Sequence, residues 1–453
     1  MSRLPVIVSF GGINPAGRSS LHHGYRRLVI EKIGAEERNK TMSSLRALMN
    51  KSGEVSCTSQ WILHHSLIRK IEDNLFNTEA IPVNKRTVFS SALGEKTNFL
   101  VKNNQLPTTL PSNWKVEKQD DGLLKVEVDG ELNVLLPDTI SSKVRSAGQL
   151  PTGFDPANLY QSRNHPRGLQ LTVFAASDAV SSLGINWEQV KNRVPPDQIS
   201  VYASSAMGQL DSNGSGGLLQ AALQGRRTTS KNLPLGLAEM TADFVNAYVL
   251  GNVGTTGANI GACATFLYNL RQGINDIKSG KYKVAIVGAS EAPLTPEVIE
   301  GYRKMGALAE DEALAKIDKI ETKNVNHRLA CRPFGENCGF TLSEGSQFVI
   351  LFDDELALEL GAEIYGSVAD VFVNADGFKK SIPGPGVGNY LTVGKAMGLI
   401  RSILGAESLR NRSYMQAHGT STPQNRVTES HIFNELAKAF AIKEWPITAI
   451  KAY

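Results

Sequence analysis

Residues 254–290 read GTTGANIGACATFLYNLRQGINDIKSGKYKVAIVGAS, and three kinds of local structure follow one another along them. A glycine-rich polar loop gives way to apolar residues at Ala264, Leu267, Leu270, Ile274 and Ile277, the spacing of a helix with one buried face. Ser279-Gly280 closes that pattern, and KVAIVGAS (283–290) is a continuous apolar run suited to a strand covered on both faces. Upstream, Val6–Phe10 and ISVYAS (199–204) predict strands, and Leu169, Val173, Ala176, Val180 and Leu183 predict a helix capped by Gly184. Downstream come FVILFDD (348–354), the stretch EIYGSVADVFVNA, a helix near 390–404, the strand SYMQAH (413–418), a helix near 426–440, and ITAIKA (447–452). Strands alternating with helices predict an α/β architecture with a mostly parallel sheet and helices on both faces.

At 453 residues the chain has room for up to about three domains. Lys and Arg number 48 against 44 Asp and Glu, a balance that argues against nucleic acid or an anionic membrane as a main partner. The sequence holds no apolar run of about 18 residues and its N-terminus no signal-peptide core, so a cytoplasmic protein is expected. Four cysteines, Cys57, Cys263, Cys331 and Cys338, do not make a disulfide scaffold. Residues 31–160 are more polar, and LLKVEV-DG-ELNVLL (123–136) predicts a hairpin turning at Asp129-Gly130. That region is expected to be an insertion with a small β element.

Cys263 raises the question of chemistry. A free cysteine is most often an inert buried hydrophobe. This one stands at a helix start, where unpaired amides and the macrodipole favour thiolate over thiol. Gly261, Ala262 and Ala264 leave room for a sharp turn and for a substrate carbonyl at the Cys263 amide, as in a nucleophile elbow. Gly254, Gly257 and Gly261 do not follow the GxGxxG spacing of a phosphate loop. A second group, QAHGTSTPQNRVTE (416–429), puts His418 at a strand end inside a small, hydroxyl-rich turn, where α/β proteins hold ligands. Cys331 and Cys338 lack the second pair a zinc site needs, and His22-His23 and His64-His65 point apart, so packing or solvated roles and no metal are expected. Arg226, Arg227 and Lys231 form a small basic cluster.

Together ACAT (262–265), VAIVGASEAP (284–293), CRPF (331–334), GFTLSEG (339–345), HGTSTP (418–423) and Lys451 resemble, in order and spacing, the β-ketoacyl synthases, decarboxylating condensing enzymes of the thiolase fold. HHGYRR (22–27), GQLPTGFDPANLYQSRNHPRG (148–168) and VFVNADGFKKS (371–381) resemble a divergent bacterial branch that can start fatty-acid synthesis from acetyl-CoA and malonyl-ACP. The resemblance implies two βαβαβαββ halves in α/β/α/β/α layers. On this chain they correspond to 1–30 with 161–362, and to an incomplete 363–453, with 31–160 inserted. It implies that Cys263 carries the acyl group, that His418 stabilises the malonyl-derived enolate, and that Lys451 supports that histidine. Thr420 and Thr422 would hold the pantetheine arm, which arrives on CoA or acyl carrier protein, so no cofactor of the protein's own is expected. Arg226, Arg227 and Lys231 fall where the family meets its acidic carrier protein, and a homodimer is expected through 245–262. Relatives place a further histidine, in a Gly-His pair, five residues beyond the lysine, whereas this sequence runs to Tyr453, so a C-terminal truncation is expected. Arg426 stands where elongating relatives usually carry aspartate. The alternatives are a catalytically dead ketosynthase-like subunit or truncated product, and a non-decarboxylating thiolase, against which HGTSTP argues.

Overall fold

The computed structural model describes residues 3–51, 57–91, 95–375 and 386–452. Contacts divide the chain into a larger unit, Met1–Leu75 with Lys143–Tyr453, and a smaller one, Phe76–Ser142. The larger unit is built on strands β1 (Pro5–Asn14), β2 (Ile199–Ser204), β3 (Thr255–Gly257), β4 (Val284–Glu291), β5 (Gly345–Asp353) and β6 (Gly366–Ser367). Their spatial order is β3-β2-β4-β5-β1-β6, with a short strand, Gly17–Arg18, hairpinned onto β1.

This sheet is mixed, where the alternation of elements predicted mostly parallel pairing. Only β3-β2 and β2-β4 are parallel; β4-β5, β5-β1 and β1-β6 are antiparallel. The reason is the connection: a helix returns the chain from β3 to β4 in the same sense, whereas the long excursion 292–344 lets β5 enter from the other end.

The two faces of β4 show why its sequence is apolar throughout. Val284 and Ile286 pack with Ala175, Ala176 and Ala179 of helix α1 (Arg167–Ser181) on one side. Ala285 and Val287 pack with Ile274 and Ile277 of helix α2 (Thr265–Lys278) on the other. Successive strand side chains alternate between faces, so a strand between two helical layers needs apolar residues at every position. The α2 stripe differs from its prediction at Leu267, which is exposed; Thr265, Asn269 and Asp276 are buried instead.

Farther along, helix α3 (Val387–Asn411) breaks at Gly405, whose φ of 84° ends the helical run predicted near 390–404. Helix α4 (Pro423–Ala439) follows, and its Ile432, Phe433 and Leu436 pack with Met397 and Leu409 of α3. Two short strands, Met415–Gln416 and Ile447–Thr448, pair in parallel beside this cluster. Of VFVNADGFKKS, residues 376–381 lie outside the described residues. Among the described residues no helix is long and apolar enough to cross a membrane.

The smaller unit holds a ten-residue antiparallel pair, Ile81–Ser90 with Glu131–Ile140, and a three-stranded sheet centred on Leu124–Val128. Val126, Val128 and Leu132 form its core with Phe99 and Trp114 around them. The expected hairpin across Asp129-Gly130 does not form. Both edges of Leu124–Val128 are taken, by Thr97–Val101 and Trp114–Lys118, so Glu131 onward pairs elsewhere and Asp129-Gly130 becomes a corner between sheets. The tight turn lies earlier, at Asp121-Gly122, where Gly122 takes φ 80°. The unit is also narrower than the predicted 31–160. Residues 35–48 and 59–64 form helices that bury Met42, Leu45 and Ile62 in a core cluster of the larger unit.

Candidate active site

Three parallel strands end on the same side, and the first part of the site is built there. Ser204 ends β2, Glu291 ends β4, and the loop after β3 carries Cys263. Asn269 of α2 holds these ends together: its Oδ1 accepts from the Asn259 amide at 2.9 Å, and its Nδ2 donates to Ser204 Oγ at 2.9 Å and Gly288 O at 3.2 Å. A fully buried asparagine costs stability unless its donors and acceptor are satisfied, and here they all are. Sequence reading missed Asn269, although a polar residue on the buried face of a helix is the available signal.

Cys263 lies in a single 3₁₀ turn, Ala262–Ala264, just before α2 and not within its first α-helical turn. Thr265 Oγ1 accepts from the Gly261 amide at 3.1 Å and donates to Ala262 O at 2.7 Å, which tightens the entry. Ala262 takes φ 48°, a conformation that L residues with a Cβ adopt at a cost. The result is an exposed thiol, where an inert cysteine would be buried. Cys331, by contrast, is buried in a core cluster with Cys338 packed beside it. Burial pushes the Cys331 thiol up to about 11.

The second part comes from the parallel pair Met415–Gln416 and Ile447–Thr448. Their register, Gln416 opposite Thr448, delivers the residues after each strand to the same place. Lys451 Nζ stands 2.9 Å from His418 Nδ1. An ammonium can only donate, so Nδ1 is the acceptor and the ring proton of a neutral His418 belongs on Nε2, free to donate onward. The ring keeps solvent-accessible edges yet is crowded by protein, and that crowding, with the Lys451 charge second, lowers its pKa to about 4. Lys451 also keeps solvent-accessible surface, and crowding by the surrounding protein depresses it, opposed chiefly by the fields of Cys263 and Cys331. Cys263 also acts on Tyr302, whose hydroxyl meets Met207 Sδ at 3.3 Å. Cys263, His418 and Lys451 are therefore gathered in one neighbourhood from segments far apart in the chain.

The loop between His418 and α4 is anchored at one point. Glu429 accepts from the His418 amide at 2.7 Å, the Gly419 amide at 2.8 Å and Asn425 Nδ2 at 2.7 Å. Gly419 has φ 56°, and a Cβ there would lie 2.8 Å from the Ala449 Cβ, so only glycine fits comfortably. Thr420 and Thr422 face each other at 3.0 Å between hydroxyls, and Thr422 also caps α4 through the Asn425 amide. Ser421 accepts from the Arg332 amide at 2.7 Å, tying in the CRPF loop. Arg426 donates to Gly335 O at 2.7 Å, a second tie between α4 and that loop.

Other sequence candidates sit elsewhere. His23 is buried, accepting from the Arg18 amide at 2.9 Å and meeting Ser44 Oγ at 3.0 Å; His22 edges Phe10. His64 and His65 bond the carbonyls of Gln60 and Trp61. Arg226, Arg227 and Lys231 are exposed and line one cavity. Glu344 of GFTLSEG is buried and paired with Arg167 at 2.6 Å, a link sequence reading did not foresee.

An accessible thiol at a strained helix entry, in the neighbourhood of a lysine-held histidine and on a layered α/β fold, fits an acyl-transferring condensing enzyme of the thiolase-like class. The beta-ketoacyl synthase N-terminal domain model matches residues 95–357. The chain is 50% identical to the beta-ketoacyl-[acyl-carrier-protein] synthase FabY of Pseudomonas aeruginosa, an alignment that covers 100% of this chain and 74% of the relative. The crystal structure of that ketosynthase superposes with a TM-score of 0.97, covering 100% of this chain and 73% of the other. A 3-oxoacyl-[acyl-carrier-protein] synthase 2 of Staphylococcus aureus is 28% identical over 69% of this chain and 73% of its own length. A beta-ketoacyl synthase from Burkholderia phymatum shares the fold at 18% identity and a TM-score of 0.61, covering 100% of this chain and 81% of its own. The chain belongs to the β-ketoacyl synthase family.

Proposed function

We propose that the chain condenses an acyl primer with a malonyl group on acyl carrier protein, releasing carbon dioxide, in fatty-acid synthesis. The observation that carries this is the contact between Lys451 Nζ and His418 Nδ1 within the field of Cys263. The Cys263 thiolate attacks the primer thioester carbonyl and expels the pantetheine thiol, leaving an acyl-enzyme. Malonyl thioester then loses carbon dioxide, and the electron pair left behind forms an enolate whose oxygen accepts from His418 Nε2–H. The enolate carbon attacks the acyl carbonyl and sulfur leaves as thiolate, giving the β-ketoacyl thioester. Thr420 and Thr422 would hold the pantetheine arm, which the substrates bring with them, so the protein needs no cofactor of its own. Full retention of Cys263, His418 and Lys451 in one place favours this reading over a catalytically dead subunit.

Acetyl-CoA is the primer we propose, from the branch the sequence resembles. Arg226, Arg227 and Lys231, exposed and clustered, suit docking of an acidic carrier protein. We also propose a homodimer and a cytoplasmic site of action. The test of the central claim is to incubate the chain with acetyl-CoA or acetyl carrier protein and map the modified peptide by mass spectrometry. Acetyl on Cys263 is expected; label on Cys57, Cys331 or Cys338 with Cys263 untouched would overturn the assignment.

A further inference from the structure

Two cavities of the larger unit share a wall. One, of about 480 Å³, is lined by Tyr160, Arg163, Asn164, His165 and Lys231 among others. The other, of about 310 Å³, shares Asn164 and Lys231 and adds Arg226, Arg227 and Thr229. Among the described residues no aspartate or glutamate lines either cavity. Arg163, Arg227 and Lys231 have no carboxylate partner among the described residues, and the Arg226 guanidinium bonds only Gln224. Four cations thus line the two neighbouring cavities with no carboxylate among the described lining residues, and an uncompensated positive concavity draws in a negative ligand.

The first cavity adds an aromatic wall. Tyr160 and His165 are fixed against each other, hydroxyl to Nδ1 at 2.9 Å, and Tyr248 edges both rings at 5.6 and 5.3 Å. Stacking on such rings recognises a flat base, while the cations next door recognise phosphate. The loop that lines the basic cavity is continuous in sequence with residues beside Cys263. Ser212 and Asn213 line the basic cavity, and the same segment begins with Ser205, bonded to Glu291 at 3.0 Å, and with Met207, touching the Tyr302 that feels Cys263.

We propose that these two neighbouring cavities hold the phosphorylated adenosine end of a coenzyme A thioester, with phosphates on Arg227 and Lys231 and adenine against Tyr160 and His165. This rests on the reading that Cys263 takes its acyl group from a pantetheine thioester. Two concave pockets with an aromatic wall suit a small nucleotide better than the convex surface of a carrier protein. The carrier would cross the same basic rim in the second half-reaction, once the nucleotide has left.

The experiment titrates adenosine 3′,5′-bisphosphate into the chain by calorimetry, then uses it to compete with acetyl-CoA and with acetyl-pantetheine, which has no nucleotide, in acylation of Cys263. Saturable binding is expected, with competition against acetyl-CoA alone. Arg227→Gln with Lys231→Gln should weaken the nucleotide about tenfold, the scale of lost charge-assisted contacts, and Tyr160→Leu should weaken it independently. No saturable binding, equal competition against both thioesters, or variants that impair carrier-protein transfer while nucleotide affinity stays intact would each overturn the proposal. Failure of both thioesters to acylate Cys263 would instead reject the underlying reaction, and the nucleotide titration still judges the site.

Discussion

If His418 holds the malonyl-derived enolate as proposed, it separates chemistry from binding. Its Nδ1 is engaged by Lys451, so the ring has one proton to offer, on Nε2, where the malonyl carbonyl would take it. His418→Ala should cut malonyl decarboxylation by roughly a hundredfold to a thousandfold, the loss seen when one oxyanion donor is removed, while acylation of Cys263 persists. Carbon dioxide release measured beside acyl transfer distinguishes the steps; equal loss of both would make His418 the base for the thiol or a structural residue. A pKa near 4 means the ring stays neutral well below its ordinary range. Decarboxylation should therefore show no decline centred near 6.5, and one that appears there would contradict this environment for the ring.

At the scale of elements, the loop that carries His418 is held by a carboxylate on the helix that follows it. Glu429 takes three donors, two of them backbone amides of the loop. Glu429→Gln turns one acceptor into a donor that faces an amide, so a buried N–H loses its partner. Charge-assisted bonds contribute about 1.5–3 kcal/mol, and the variant should lose stability on that scale, read as a lower urea midpoint at unchanged slope. Decarboxylation should fall with it because His418 loses its backbone anchor. A variant with wild-type midpoint and wild-type carbon dioxide release would show that the loop is held by other contacts.

For the whole molecule, two neutral histidines make stability depend on pH. Burial first, then neighbouring arginines, lowers His23 to about 4, and His418 is also held near 4. Between the ordinary value of 6.5 and about 4 the unfolded chain binds protons that the fold refuses. The stabilisation is fully present above 6.5, falls as pH drops through that window, and changes no further below it from these groups. For the buried His23 the full shift corresponds to roughly 3 kcal/mol. Chemical unfolding followed from pH 7 to 4 should show that slope, and His23→Gln should flatten it; an unchanged slope would remove His23 as its cause. Assembly is the other property at this scale. Strand β3 is an outer strand of the sheet, with Val253 87% exposed and Ile260 54% exposed beside it, an edge that invites pairing with a second copy. Sedimentation should give twice the chain mass, and a monomer at all concentrations would contradict the homodimer.

What the sequence by itself determined was whatever is encoded locally. The doubly covered strand β4, the helix after Cys263 and the small, polar turn carrying His418 could all be read because periodicity, glycines and hydroxyl residues act within a few positions. The order of the motifs was enough to indicate the family. Pairing partners were not legible: Glu131–Ile140 looked like half of a hairpin and joined a strand fifty residues upstream, because the nearer strand had both edges filled. The mixed sheet, the Asn269 link and the Arg426 tie to Gly335 were equally hidden, since each depends on which distant segment arrives. Tertiary structure alone decided that Cys263 is exposed, and it supplied the geometry of the Lys451–His418 contact that the family resemblance had only implied. Those facts come from the register of two parallel strands and a strained turn, and hydrogen bonding across distant segments, not local propensity, sets both.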